Sequence, residues 1–151
     1  MGIIPKHNNW YREKDLVEFL TLLNNMKFFD FFDEIITYGS SMGGYGALAY
    51  ADYCNANRVI SINPQASLSE KLTPWETRFK EGKNYNWIDD IPPVNAGYGC
   101  KNVEKVYVFY DPFCKLDKLH VELLKNVNRN IIECYLPFLN HGLPIAMSKI
   151  D

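Results

Sequence analysis

No stretch of this sequence approaches the ~20 consecutive apolar residues that cross a bilayer. A membrane-spanning helix is therefore not expected. Sixteen basic residues against eighteen acidic ones leave a net charge of −2 and no basic arm, which argues against charge-driven binding to nucleic acid or a membrane surface. The start, MGIIPKHNNW, lacks the basic and apolar regions of a signal peptide. Pro5 and Lys6 also make a poor context for myristoylation of Gly2. Cys54, Cys100, Cys114 and Cys134 are dispersed and form no C-x-x-C pair. Reduced thiols in a cytoplasmic protein are expected, rather than a disulfide frame or a zinc site. No lysine follows the glycines as a phosphate-cradling loop requires, and no G-x-G-x-x-G occurs. No metal or cofactor is expected.

What is present fits a single domain over 1–151, long enough to bury a substantial core. Its organising stretch is Ile35 to Ala51, IITYGSSMGGYGALAYA. The β-branched and aromatic run Ile35-Ile36-Thr37-Tyr38 predicts a buried strand. It breaks at Gly39, and a small-residue helical pattern begins after Gly43-Gly44. Inside the turn, Gly39-Ser40-Ser41-Met42-Gly43 satisfies G-x-S-x-G with Ser41 at its centre. A serine nucleophile needs this spacing: it must project from a cramped strand-to-helix turn, where flanking glycines leave room. The Met42 N–H that follows then faces a developing oxyanion at a helix N-terminus. Ser40 is the rival serine, without the symmetric glycines.

The segment GSSMGGYGALAY resembles the nucleophile elbow of the α/β-hydrolase superfamily, closest to the S-M-G-G-x-x-A-L form of its esterase-D-like and mycolyltransferase-like members. The resemblance runs from about Tyr11 to Asp151 and matches the C-terminal half of the superfamily's sheet, the elbow strand and three more. A shortened member, or a chain that starts late, is implied. In a shortened member, Asn8-Asn9-Trp10 is the segment expected to supply a second oxyanion N–H.

Along the chain, Ile3-Ile4-Pro5 is at most a strand remnant, and Leu16, Phe19, Leu20 and Leu23 predict a helix over about Tyr11–Asn25. After the elbow, Ala47, Leu48, Ala51 and Cys54 extend an apolar stripe to Asn55. Arg58–Ile62 is a predicted strand. Residues 63–102 then carry no strong strand, and a connection so long suggests a cap or substrate loop. Within it, Thr73 and Pro74 predict a helix start. Val106–Tyr110 is the clearest strand, followed by a helix with Leu116, Leu119, His120, Leu123, Leu124 and Val127 inward. Ile131–Leu136 is the last strand, with a short helix from about Pro144. Strands alternating with helices imply an α/β fold: three layers, α/β/α, around a mostly parallel sheet. Its uncapped edge allows a homodimer.

A serine needs a base, and the base needs an orienting acid. In parallel sheets such groups gather beyond the carboxyl ends of the strands. Asp111 directly follows a strong strand and His141 follows the last one, so Ser41, Asp111 and His141 are the expected catalytic residues. Their order matches the superfamily's. Asp117 is the alternative acid, reading otherwise as a first-turn helix residue. His120 lies in an apolar stripe and reads as a buried structural histidine, and His7 as a solvated one.

The resemblance implies a serine hydrolase (esterase or thioesterase) or an acyltransferase, working through an acyl-enzyme on a small-molecule ester. Gln65, Trp75, Arg78 and Trp87 are expected to frame the substrate, whose alcohol is polar, a sugar for instance. The alternative from another class is a non-catalytic binding or scaffold protein that keeps the fold.

Overall fold

The computed structural model describes residues 1–89 and 91–142. Four strands form one sheet in the order β1 (Ile36–Ser40), β2 (Arg58–Ile62), β3 (Lys105–Tyr110) and β4 (Ile131–Tyr135). Every neighbouring pair is parallel. Flanking helices are α1 (Lys14–Asn25), α2 (Met42–Ala49), the short α3 (Lys80–Lys83) and α4 (Lys115–Lys125). This all-parallel sheet with flanking helices is consistent with the expected three-layer α/β/α fold. The helix expected from Pro144 lies outside the described residues. Among those described, no helix is long and apolar enough to cross a membrane.

The register explains the core. Thr37, Val59 and Val106 lie in one row across β1, β2 and β3, and Gly39, Ser61 and Val108 in another. Val59, Ser61, Val106 and Val108 are fully buried. The alternate positions are more open: Ile36 is 45% exposed, Tyr38 67% and Ile132 42%. α2 is apolar on every side and its residues Gly44–Ala49 are buried, as expected of a central helix. Two strand hydroxyls bond its carbonyls: Thr37 Oγ1 donates to Ala47 O (2.8 Å) and Ser61 Oγ to Gly44 O (3.1 Å). These bonds fix the helix directly over β1 and β2.

Several sequence expectations shift for identifiable reasons. Ile3–Pro5 forms no strand. In α1, Leu20 is buried while Phe19 is 44% exposed, so the inward face is turned slightly from the expected one. The post-elbow helix stops at Ala49, and a 3-10 turn over Asp52–Cys54 ends on Asn55 in the left-handed region (φ 51°). No helix starts at Thr73. Its hydroxyl donates to Ser69 O (3.0 Å) and Ser67 O (3.4 Å), so it folds its own loop instead of accepting from a helix's first turn. α3 begins only at Lys80.

The 63–102 connection is packed into the core rather than laid over it. Ala66, Leu68, Trp87 and Ala96 are buried. Its 3-10 turn Ala96–Cys100 lies against the C-terminal end of α2 so closely that a Cβ at Gly99 would sit 2.1 Å from Ala49 O. Asn95 and Asn128 lash that turn to α4 and the segment after it, through bonds to Leu123 O (3.0 Å) and Cys100 O (2.9 Å). Gly99→Ala is therefore expected to cost about 2 kcal/mol or more and lower the melting temperature by several degrees. Gly2, with nothing within 4 Å of its would-be Cβ, tolerates alanine without change. Thermal unfolding followed by circular dichroism distinguishes the two.

Candidate active site

β1 delivers the chain into a turn with almost no room. A Cβ on Gly39 would lie 2.0 Å from Gly43 O, so only glycine fits there. On the other side of the serine the constraint differs from the sequence expectation. A Cβ at Gly43 would meet only the Tyr11 hydroxyl at 3.8 Å, whereas one at Gly44 would lie 2.8 Å from Ser61 Oγ. The second essential glycine is therefore Gly44, where α2 presses on β2. Between them Ser41 is held at φ 52°, ψ −118°, a conformation that costs a non-glycine residue on the order of 1–3 kcal/mol. Its backbone is pinned by Ser41 N–H to Ile62 O (2.8 Å) and Tyr45 N–H to Ser41 O (3.1 Å). Ser41 also precedes the first turn of α2, whose N–H groups, Met42's included, have no partner within the helix.

Ser41 and His141 meet across the molecule, with Ser41 Oγ 3.0 Å from His141 Nε2. The other ring nitrogen, Nδ1, lies 3.0 Å from Oδ2 and 3.2 Å from Oδ1 of Asp117. A carboxylate only accepts, so Nδ1 carries the hydrogen and Nε2 presents its lone pair to the serine hydroxyl. The carboxylate that meets the imidazole is thus Asp117, and not Asp111 as expected. Asp111 is buried and accepts instead from the backbone: Asn140 N–H to Oδ2 (2.7 Å) and Phe113 N–H to Oδ1 (2.9 Å). It clamps the loop that carries His141 and does not touch the imidazole. The same loop is fastened by Asn63 Nδ2 donating to Asn140 O (3.2 Å) and by the Phe113 and Phe138 rings, stacked at 4.9 Å.

α4 explains the correction. Its buried residues are Asp117, His120, Val121 and Leu124, the i, i+3, i+4, i+7 stripe. Leu116, Leu119 and Leu123 are only half-buried. Asp117 therefore points inward, with 1% of its surface exposed. Burial by itself would raise its carboxyl pKa, but hydrogen bonds from His141 and Arg78 reverse this and hold it below the ordinary carboxylate range.

The predicted substrate residues separate. Gln65 is fully buried beside the serine. Its Oε1 accepts from Trp10 Nε1 (3.1 Å), and its Nε2 donates to Asn63 O (3.2 Å) and to Ser41 Oγ (3.4 Å). Arg78 is also at the site, donating from Nη1 to Asp117 Oδ1 (2.8 Å). Trp75 stands one residue further back, its ring 4.7 Å from that of His120. Trp87 is not at the site. It is buried against Tyr45 and under the Arg12 guanidinium (4.3 Å), and its indole donates to Gly82 O. The Asn8–Trp10 segment reaches Ser41 through the Trp10 indole and Gln65. Asn9's own N–H is committed to His7 O. A cavity of about 360 Å³ between α1, α2 and the outer edge of β1 is lined by Leu16, Leu20, Phe29, Ala47 and Tyr50 among others, and does not include Ser41 or His141.

Behind Asp117 lies a second, unexpected cluster. Glu76, fully buried, accepts from Arg78 Nη2 (2.7 Å) and from His120 Nε2 (3.0 Å). Ala66 N–H donates to His120 Nδ1 (3.2 Å), so the proton of this neutral imidazole sits on Nε2. Burial pushes the His120 pKa down, against the pull of Glu76. Glu76 itself is held far below the usual carboxylate range, its burial outweighed by bonds from His120 and Arg78.

No protein family's sequence profile matches the chain, and no curated protein matches it. Among solved structures, the fold is similar to a capsule O-acetyltransferase of Neisseria meningitidis serogroup A, in complex with caged gadolinium. The match has a TM-score of 0.50 and 21% identity, over 73% of this chain and 50% of that one. The chain thus spans half the length of that protein. At this identity the likeness bears on the fold.

The buried groups fix a pH dependence. The His120 pKa is lowered in the folded state, so its contribution is complete above about pH 6.5 and is lost as pH falls through the folded value. Asp117, Glu76 and Asp111 are lowered as well, and their contribution disappears below about pH 4. Denaturant midpoints are expected to fall from pH 7 to 5 and more steeply below 4. His120→Gln flattens the first decline and leaves the second. An unchanged slope between pH 7 and 5 in that variant would contradict the assignment.

Proposed function

We propose that this protein is a serine-dependent acyl-transfer enzyme, an esterase, thioesterase or O-acyltransferase acting through an acyl-enzyme. The observation that carries the reading is the hydrogen-bonded line from Ser41 Oγ to His141 Nε2 (3.0 Å) and from His141 Nδ1 to Asp117 Oδ2 (3.0 Å), starting from a strained serine. Three side chains separated by up to a hundred positions in sequence meet in the tautomer that general-base catalysis needs.

In this reading His141 Nε2 takes the Ser41 proton as Oγ attacks the acyl carbon. Asp117 holds the ring and balances the imidazolium. The tetrahedral oxyanion is met by the Met42 N–H at the start of α2 and by Gln65 Nε2–H, which already faces Oγ. His141 returns the proton to the leaving alcohol or thiol, and the acyl group remains on Ser41. Water or an acceptor hydroxyl, deprotonated in turn by His141, releases it. The solved protein with the similar fold is named an O-acetyltransferase, which supports transfer to oxygen and a small acyl group. The half-exposed rim of Arg78 and Trp75 suits a polar acceptor. Asp111 acts as a positioning residue through the loop of His141.

The test is labelling by a fluorophosphonate together with p-nitrophenyl acetate turnover. Wild type is expected to label and turn over, and Ser41→Ala to do neither. Asp117→Asn is expected to lower kcat by about 10²–10⁴ through the wrong tautomer. Asp111→Asn sets an amide NH2 against a backbone N–H that the carboxylate accepted, so it is expected to lower the melting temperature by several degrees and to lower kcat through the displaced loop of His141. Gln65→Leu keeps the label but lowers kcat by about 10–10³. A saturable ligand with no labelling or turnover would instead favour a non-catalytic binding protein on this fold.

A further inference from the structure

Asp117 is not alone with His141. Its Oδ1 also accepts from Arg78 Nη1 (2.8 Å), and Arg78 is in turn held by Glu76 through three groups. Backbone N–H and Nε donate to Oε1 (2.7 and 3.1 Å), and Nη2 to Oε2 (2.7 Å). Glu76 is closed on its other side by His120 Nε2–H. The result is a line of alternating charge, Glu76 negative, Arg78 positive, Asp117 negative, that ends on the imidazole of His141. Asp117 and Glu76 are almost wholly buried, and only Arg78 reaches solvent, with a quarter of its side chain exposed. Charges so placed are weakly screened.

We infer that Arg78 and Glu76 are positioning residues that set, through Asp117, the pH at which His141 becomes a free base able to activate Ser41. The inference rests on the reading of His141 as that base. With all three charges present, the array shows the imidazole a net charge of −1. Loss of Arg78 leaves −2, which stabilises the imidazolium. Loss of the Glu76 charge leaves zero, which disfavours it. The two substitutions therefore displace the His141 titration in opposite directions, which a purely structural role of a buried cluster would not do.

Among the described residues, the other titratable groups around His141 do not supply this pattern. His120, behind Glu76, is neutral and fixed in one tautomer by Ala66. The Cys114 thiol, at the start of α4, is pushed up by burial and by Asp117, so it stays protonated near neutrality. Asp111 meets the backbone of Asn140, and Ser41 is the group activated. His141 also faces the uncharged Phe79 ring at 5.7 Å.

The experiment is the histidine ring titration of the whole protein by NMR, with His141 assigned from His141→Gln. Fold is checked in every variant by amide dispersion. Arg78→Gln is expected to move the His141 midpoint up by about one pH unit, and Glu76→Gln to move it down by a similar amount. Arg78→Lys, which keeps the charge, moves it less than half as far as Arg78→Gln. If either neutralising variant fails to fold, the other and Arg78→Lys still carry the sign. Unmoved midpoints, or shifts of the same sign in both neutralising variants, overturn the inference. The acid limb of the kcat/KM profile is expected to follow the NMR midpoints. Shifted midpoints without fluorophosphonate labelling of Ser41 would overturn the enzymatic reading while leaving the charge array in place.

Discussion

The structure depends on one tight reversal of the backbone. From Gly39 to Gly43 the chain returns on itself so closely that the carbonyl of residue 43 occupies the place of a side chain at residue 39. That contact forces Ser41 into the left-handed half of conformational space and starts α2 at Met42. Hydroxyls of Thr37 and Ser61 hold α2 on the strands, and the parallel register then brings the ends of β2, β3 and β4 to the same side as Ser41. Beyond those ends lie Gln65, Asp111 and the loop of His141. The strain in the serine is maintained by this surrounding packing, and the exposed hydroxyl is its consequence.

Around that hydroxyl, the loops after the last three strands divide the work by chemistry. The β2 loop supplies an amide beside Ser41, in Gln65, and the Glu76–Arg78 pair that stands behind Asp117. The turn after β3 supplies Asp111, which gathers backbone N–H groups, and α4 then supplies Asp117. The loop after β4 supplies the imidazole of His141. Two aspartates six positions apart hold the same histidine in different ways, one through its backbone and one through its ring. The distinction matters because the backbone clamp uses both oxygens of Asp111 as acceptors, whereas Asp117 is the acceptor that sets the tautomer of the ring.

Much of this was legible in the sequence. A β-branched run broken by glycine, with serine between Gly39 and Gly43, marked the strand-to-helix turn because few other backbones need those residues there. His141 stood out because histidines are scarce and only one follows the last strand in a loop. Asp117 was less legible as the partner of His141, since position directly after a strand favours Asp111 and only the helical face favours Asp117. The stripe at 117, 120, 121 and 124 was present in the sequence, but leucines at 116, 119 and 123 described a competing stripe one residue away. Neither the pairing of Glu76 with Arg78 and His120 nor the burial of Trp87 had a local signal. Both depend on a loop whose partners lie up to 81 positions off, as Arg12 does from Pro93, and no periodicity encodes such contacts.

The proposed chemistry is covalent, with the acyl group carried between donor and acceptor on Ser41 after activation by His141. It is tested most directly by acid-quenching the protein with an activated acetyl ester within the first turnover and mapping the added acetyl mass by peptide mass spectrometry. The acetyl group is expected on Ser41 and is expected to be lost in His141→Ala. Acetyl found on Ser40 or on a surface lysine, or on Ser41 to the same extent without His141, would contradict it.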